Sequence, residues 1–221
     1  MRIVGIIPAR LGTGKEPLQN VRELGGMPLL NYTIRTMNKV RSIDEIAIFA
    51  SNPSICEYII PGLKYKYIER PSHLDSTDAN IQDIVKDFLK QDDADIIVLW
   101  HITSPFLKPE TIVECIEKVK SGEYDSAFTA LEIRKFCWFE DKPLNYSLDK
   151  RTPRTQDIEP VIVEQAHLYV FRREVFEKTG QRISDKPYIK IVDHLEGHDI
   201  YTPLDFAIAE LIVNTGFFEL D

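Results

Sequence analysis

The sequence predicts an α/β fold: a mostly parallel central sheet sandwiched between helices. Three observations carry that expectation. Short apolar runs alternate with amphipathic stretches over the first two thirds of the chain, the pattern of strand–helix–strand units. The run Ile96-Ile97-Val98-Leu99-Trp100 is apolar on both faces, as a buried parallel strand requires. The first apolar run leads directly into a turn with two glycines and two cations, at the strand end where α/β sheets gather ligands.

In chain order, residues 3–7 read as a first strand, and 29–40 carry apolar residues at helical spacing. Residues 45–50 are a second strand, followed by a short helix at 54–59 and a third strand at 65–68. The stretch 78–90 is helical, with Ile81, Ile84, Val85, Phe88 and Leu89 on one face. The fourth strand is 95–100. Pro109 then opens a helix that runs to residue 120, proline being preorganised for the first helical position. A fifth strand covers 126–131. From 134 to 165 the alternation lapses into aromatic, charged and proline-containing stretches, and so irregular a segment is more often functional or an interface arm than a free linker. The pattern resumes with a strand at 167–171 and a short helix. A last helix covers 204–214, with Thr202 as its N-cap. The expectation is one domain over 1–221, with an inserted arm at 134–165.

The chain has 221 residues, 43% of them hydrophobic, which suffices for a domain with its own core. Its 27 Lys and Arg against 35 Asp and Glu leave a charge of −8. That balance argues against a nucleic-acid binder, which works by phosphate neutralisation, but permits a nucleotide held by local cations and amides. The apolar runs fall far short of the roughly 18–20 residues that span a bilayer, and the N-terminus reads as a strand, not as a signal peptide. A cytoplasmic protein is expected. The three cysteines, Cys56, Cys115 and Cys137, form no disulfide or metal pattern. His194 and His198 lie four apart across a glycine-containing loop and carry little weight as a metal pair.

The turn Ile7-Pro8-Ala9-Arg10-Leu11-Gly12-Thr13-Gly14-Lys15 is where chemistry is expected first. Glycines let backbone N–H groups approach an anion, and Arg10 and Lys15 add positive charge. The spacing is neither that of a P-loop nor G-x-G-x-x-G. Phosphate binding and a plain surface turn with two solvated cations both fit it.

The wording of the sequence goes further. The opening Ile7-Pro8-Ala9-Arg10, then Pro17-Leu18-Gln19-Asn20 and Gly26-Met27-Pro28-Leu29, resembles the start of the CMP-sugar synthetases, the acylneuraminate cytidylyltransferases and their relatives (I-P-A-R-G-G-S-K-x-x-P-x-K-N, then G-x-P-L). Further blocks follow in order. Arg70-Pro71 with Asp75 to Asn80 resembles R-P…D-T-A-S, Leu99 to Pro105 resembles L-x-Q-x-T-S-P, and Asp125-Ser126 matches a D-S strand opening. Pro153 to Asp157 resembles R-R-Q-D, Glu164 to Phe171 resembles E-N-G-A-I-Y-x-F, and Asp199 to Asp205 resembles D-I-D-T-x-x-D.

The resemblance implies a Rossmann-like, three-layer nucleotidyltransferase that moves CMP from CTP to an α-keto sugar acid, releasing pyrophosphate with Mg²⁺ (or Mn²⁺). It implies nucleotide contacts from Ala9, Arg10, Leu11, Gly12, Asn20, Arg70, Asp78 and Asn80. Catalytic places fall to Arg10, Lys15 and Arg154. Substrate contacts fall to His101, Ser104, Arg154, Gln156, Gln165 and Tyr201, and Asp199 takes the place of a metal ligand. The arm resembles one exchanged between subunits, so a homodimer is expected, with no nucleic-acid or membrane partner.

Departures from the pattern cluster on the acceptor and metal side. Gln19 stands for the lysine of K-N, Gly14 for the lysine of S-K, and His101 for the glutamine before T-S-P. Thr155 stands for an arginine, Gln165-Ala166 for N-G, and Tyr201 for the second aspartate of D-I-D. Two alternatives to sugar-acid transfer therefore stay open: a nucleotide-binding paralogue without turnover, and cytidylyl transfer to a phosphate or phosphonate.

Overall fold

The computed structural model describes residues 1–11, 18–76 and 78–218. Its strands and helices follow as β1 (Ile3–Pro8), the short pair β2 (Glu23–Leu24) and β3 (Met27–Pro28), α1 (Leu30–Asn38), β4 (Glu45–Ala50) and β5 (Lys66–Glu69). Then come α2 (Ile81–Gln91), β6 (Ile96–Trp100), α3 (Pro109–Lys120), β7 (Ser126–Ile133), β8 (Trp138–Phe139) and β9 (Lys142–Pro143). The chain closes with β10 (Val161–Arg172), α4 (Arg173–Thr179), β11 (Pro187–Ile191) and α5 (Pro203–Asn214).

Seven strands make one sheet in the order β11-β7-β10-β6-β1-β4-β5. β10 runs antiparallel to both β6 and β7, while every other pairing is parallel, so the expected mostly parallel sheet is present. Alternation along each strand sends side chains to opposite faces. Ile3, Ile7, Ile96, Val98, Trp100, Leu168 and Val170 join α1, α3 and α5 on one side. Val4, Ile6, Ile97, Leu99, Tyr169 and Phe171 join Val85 and Phe88 of α2 and Phe176 of α4 on the other. The result is three layers.

Helix boundaries follow their caps. Helix α2 starts at Ile81, three residues later than the apolar spacing suggests, because the Asn80 side chain accepts from the Asp83 N–H and Asp83 returns the bond as a capping box. Thr202 caps α5 as expected, in a second capping box with Asp205. The segment 54–59 is a 3₁₀ helix, Pro53–Tyr58.

The arm is shorter than expected. Residues 161–165 belong to β10, where Val161 faces Ile133 and Glu164 faces Ala130. Their alternation does not show in the sequence because an apolar residue, Ile162, occupies an exposed position between Val161 and Val163. The remaining arm carries the β8–β9 hairpin, turned by Glu140 and Asp141 at φ 47° and 61°. Asn145 ties its base, accepting from Cys137 N (3.0 Å) and donating to the carbonyls of Lys135 (2.9 Å) and Glu159 (2.8 Å). Between Glu164 and Tyr169, β10 runs four residues opposite Thr129 alone, a wide bulge of the sort that re-aims side chains beside functional sites.

Candidate active site

Two corners are built at the carboxyl ends of the central strands. In the first, Ala9 follows β1 and donates its N–H to Phe49 O (3.1 Å) at the end of β4. The exposed Arg10 side chain donates to Asp75 O (3.1 Å), and Asn20 donates to Arg10 O (3.1 Å). Leu11 packs against the core. Gly12 and Lys15, with the rest of 12–17, lie outside the described residues. Just beyond β5, Arg70 is 2% exposed and forms an ion pair with Asp75 at 2.5 Å. Ser51 donates to the same carboxylate. Burial lowers the Arg70 pKa, with Asp75 opposing and the nearby Arg10 charge adding to the fall. Among the described residues Arg70 Nε has no hydrogen-bond partner, so this guanidinium retains one buried donor for a ligand or water. Asp78 is exposed. Asn80, expected at the nucleotide, has its side-chain oxygen engaged at the α2 N-terminus by Asp83 N (2.9 Å).

The second corner brings together His101 and Tyr201, two of the departures from the sequence pattern. His101 follows β6, and its N–H donates to His167 O (3.0 Å) across the β6–β10 pairing. His167 lies in the β10 bulge, is fully buried, and places Nε2 3.3 Å from Asp199 Oδ2. That approach is off the axis of a good hydrogen bond, and among the described residues both ring nitrogens of His167, with Nε2 of His101, lack an aligned partner. Asp199 Oδ1 accepts from Ile200 N (2.9 Å). Burial pulls the Asp199 pKa up, but His167, Thr103 and Tyr201 together bring it below the ordinary carboxylate value. Burial, reinforced by Arg182, lowers His101 to about 4, so its imidazole is neutral. Arg182 stacks 3.8 Å over the Tyr169 ring. Gly197 admits this segment, since a Cβ there would meet Leu131 Cδ2 at 2.7 Å. Gln19 donates to Ile200 O (3.1 Å) and thereby joins the two corners.

Other expected residues are placed elsewhere or otherwise employed. Ser104 is fully buried and serves the turn after β6, donating to His101 O (2.9 Å) while its carbonyl accepts the Trp100 indole N–H (3.0 Å). Gln165 donates back to Val163 O (3.3 Å). Arg154 is an exposed arm residue, bonded to Asp157 at 2.8 and 3.3 Å, with Gln156 exposed in the same turn. His198 stacks on Phe106, and all three cysteines are free. A cavity of about 810 Å³ between α2 and α4, lined by Lys86, Leu89, Arg173 and Phe176, shares no residue with either corner.

Mg²⁺ takes hard oxygen ligands in near-octahedral geometry. Among the described residues no three His, Cys, Asp or Glu side chains are grouped to hold a metal ion. The side chain of Asp199, expected as the ligand, is 7% exposed, with Oδ1 accepting from Ile200 N and Oδ2 lying beside His167. The described residues thus group no ligand set for a protein-held Mg²⁺.

A profile of the cytidylyltransferase family matches residues 4–178. The chain belongs to that family. N-acylneuraminate cytidylyltransferase A of Danio rerio is 25% identical over 99% of this chain and 53% of its own length. The CMP-N,N'-diacetyllegionaminic acid synthase of Legionella pneumophila is 25% identical over 96% of this chain and 97% of its own. The chain thus spans about half the length of the fish relative. A CMP:2-keto-3-deoxy-manno-octonic acid synthetase complexed with CTP superposes with a TM-score of 0.72 at 14% identity, covering 98% of this chain and 100% of that one. That likeness establishes the nucleotidyltransferase-type fold.

For this cytidylyltransferase-family chain, sequence reasoning assigned no role to Asp75, Thr103, His167 or Arg182. His167 had a usable signal: a histidine stands where the E-N-G-A-I-Y-x-F pattern has alanine. Arg182 had none, since nothing local marks an arginine that stacks on a tyrosine from a distant strand.

Proposed function

We propose that this protein transfers CMP from CTP to an α-keto sugar acid of the nonulosonate class and releases pyrophosphate. The observation that carries the reading is the Gln19–Ile200 hydrogen bond. It ties the segment bearing Arg10 and Asn20 to the corner bearing His101, Asp199 and Tyr201, so that in this reading a cationic side adjoins an acceptor side. The relatives named above are cytidylyltransferases for acylneuraminate and legionaminic acid, which supports that acceptor class.

In this reading the acceptor hydroxyl attacks the α-phosphorus of CTP, and the bond to the leaving pyrophosphate breaks. Such transfers depend mainly on positioning and neutralisation of charge. Arg10 and Lys15 offset phosphate charge, Arg70 and Asn20 border the nucleoside, and His101 and Tyr201 face the acceptor. Arg154 meets the acid from the arm. Mg²⁺ or Mn²⁺ accompanies the triphosphate. The reading includes a cytoplasmic homodimer joined through the arm; no described helix is long and apolar enough to cross a membrane.

A pyrophosphate-release screen tests it, using CTP, Mg²⁺ or Mn²⁺, and N-acetylneuraminate, legionaminate, pseudaminate, 3-deoxy-manno-octulosonate and phosphonates as acceptors. Turnover with CTP and one sugar acid is expected. Thermal shifts should favour CTP over ATP, GTP and UTP, because a ligand that binds only the native state stabilises it by mass action. Equal shifts with all four nucleotides overturn the cytidylyl reading. Tight CTP binding with no turnover replaces it with the non-catalytic one.

A further inference from the structure

We propose that Arg182 holds the carboxylate of the acceptor: its guanidinium lies over the Tyr169 ring and leaves its N–H edge free for the acid. This inference rests on the cytidylyl-transfer reading and names the cation that meets the acceptor in the second corner.

The first support is the way the guanidinium is held. It lies 3.8 Å from the centre of the Tyr169 ring, well inside the ~6 Å within which a cation is attracted to an aromatic face. A guanidinium at stacking distance spends its flat side on the ring. Its in-plane donors remain, and their fork matches the two oxygens of a carboxylate. Among the described residues this guanidinium makes no ion pair or hydrogen bond. Arg182 is half-buried, so a ligand can reach it.

The second is its place. The Tyr169 ring meets His101 edge-on, with centroids 6.5 Å apart at 84°. Its hydroxyl donates to Glu164 at 2.5 Å, where the β10 bulge begins. Arg182 therefore stands over the residue that joins His101 to the bulge carrying His167. Beside it, Nε2 of His101 and both ring nitrogens of His167 are buried without partners among the described residues. Buried polar atoms call for partners, and an acid rich in hydroxyls, with the water it orders, supplies them. Arg154, the cation given to the acid above, is 79% exposed and bonded to Asp157 in the arm. Arg182 stands in the corner itself.

The third is preorganisation. Gln181 N donates to Thr179 Oγ1 (3.0 Å), and the Gln181 side-chain oxygen accepts from Gln82 Nε2 of α2 (3.3 Å). Ser184 N donates to Ser126 Oγ of β7 (2.9 Å), and Ile183 packs against the core between them. The backbone is thus fixed on both sides of Arg182. A cation held in place beforehand loses little freedom when its ligand arrives.

The experiment compares acids with their methyl esters, which lack the carboxylate charge. Binding is measured by calorimetry with cytidine diphosphate in place of CTP, so that no transfer is required. The probes are N-acetylneuraminate, legionaminate, pseudaminate and 3-deoxy-manno-octulosonate. The wild type should bind at least one acid more tightly than its ester. Arg182→Met keeps a long apolar cover over Tyr169. It should weaken that acid roughly thirtyfold, the worth of hydrogen bonds to a charged group, and leave the ester unchanged. Arg182→Lys should recover part of the loss, and Arg182→Gln gives the same comparison if the methionine variant does not fold. Equal loss for acid and ester, or no loss, overturns the inference and leaves Arg182 a cover for Tyr169. No binding of any acid by the wild type overturns it as well. Pyrophosphate release from CTP decides the transferase reading separately. Turnover whose acid KM is the same in Arg182→Met removes Arg182 and keeps the transfer. Acid binding that depends on Arg182, with no turnover, keeps Arg182 and removes the transfer.

Discussion

Arg70 and Asp75 form an ion pair at 2.5 Å in which the guanidinium is 1% exposed and the carboxylate 18%. This pair sits beneath Arg10, whose side chain bonds to the Asp75 carbonyl, so the nucleotide corner rests on a buried charge. Removing one member of such a pair strands the other. Asp75→Ala should cost about 3–5 kcal/mol, read as a lower urea midpoint at unchanged slope. A loss under about 1 kcal/mol would mean that water reaches Arg70.

His101 predicts an acid-side loss of stability. Its pKa falls from 6.5 to about 4 on folding, so the unfolded chain takes up a proton that the native state refuses. The contribution is complete above pH 6.5 and is lost as pH falls from 6.5 towards 4, amounting to roughly 3 kcal/mol. The lowered pKa of Asp199 adds a further loss, below the ordinary carboxylate range. Urea midpoints between pH 4.5 and 7.5 should fall with pH, and His101→Gln should flatten that slope. An equal slope in the variant would remove His101 as its source.

Asn80 offers a separation of structural from ligand roles. Its side chain caps α2 through Asp83 N at 2.9 Å, so Asn80→Ala should cost about 1 kcal/mol, whereas Asn80→Asp keeps the cap and costs little. If Asn80 also contacts CTP, the aspartate variant should show a smaller CTP-induced thermal shift than the wild type despite near-equal stability. Equal shifts would leave it a cap alone.

Assembly can be read from the arm. Phe136 and Trp138 pack edge-on against Tyr146 at 5.0 and 6.2 Å, yet Trp138 stays 54% and Phe139 66% exposed. Light scattering at tens of micromolar protein should report a dimer, the common closed symmetry for homo-oligomers. The double change Trp138→Asp and Phe139→Asp should yield a folded monomer. A wild-type monomer would count against the arm as an interface.

Much of the fold was legible because its causes are local. The continuous apolar runs of β1, β4 and β6 and the apolar faces of α2 and α3 are written in neighbouring residues, as is the Thr202 cap. The start of α2 was misplaced because Asp78 and Ala79 suit the first turn as well as Ile81 does, and only the Asn80–Asp83 exchange sets the boundary. The arm was drawn too long because residues 161–165 gain their order from β7, a partner about thirty positions away.

The sequence by itself determined the layered α/β frame, the loop that carries Arg10, and the family pattern that links both to cytidylyl transfer. Tertiary structure alone decided where the departures from that pattern lie relative to one another. Gln19, His101, His167, Asp199 and Tyr201 are scattered over more than 180 positions, and each alone reads as an unrelated polar substitution. The β10 bulge and the β6–β10 register bring the two histidines opposite each other, and the Gly197 turn delivers the carboxylate to them. Charge and hydrogen-bonding capacity act over a few ångströms of space, so their sum at this corner exists only once the sheet has closed.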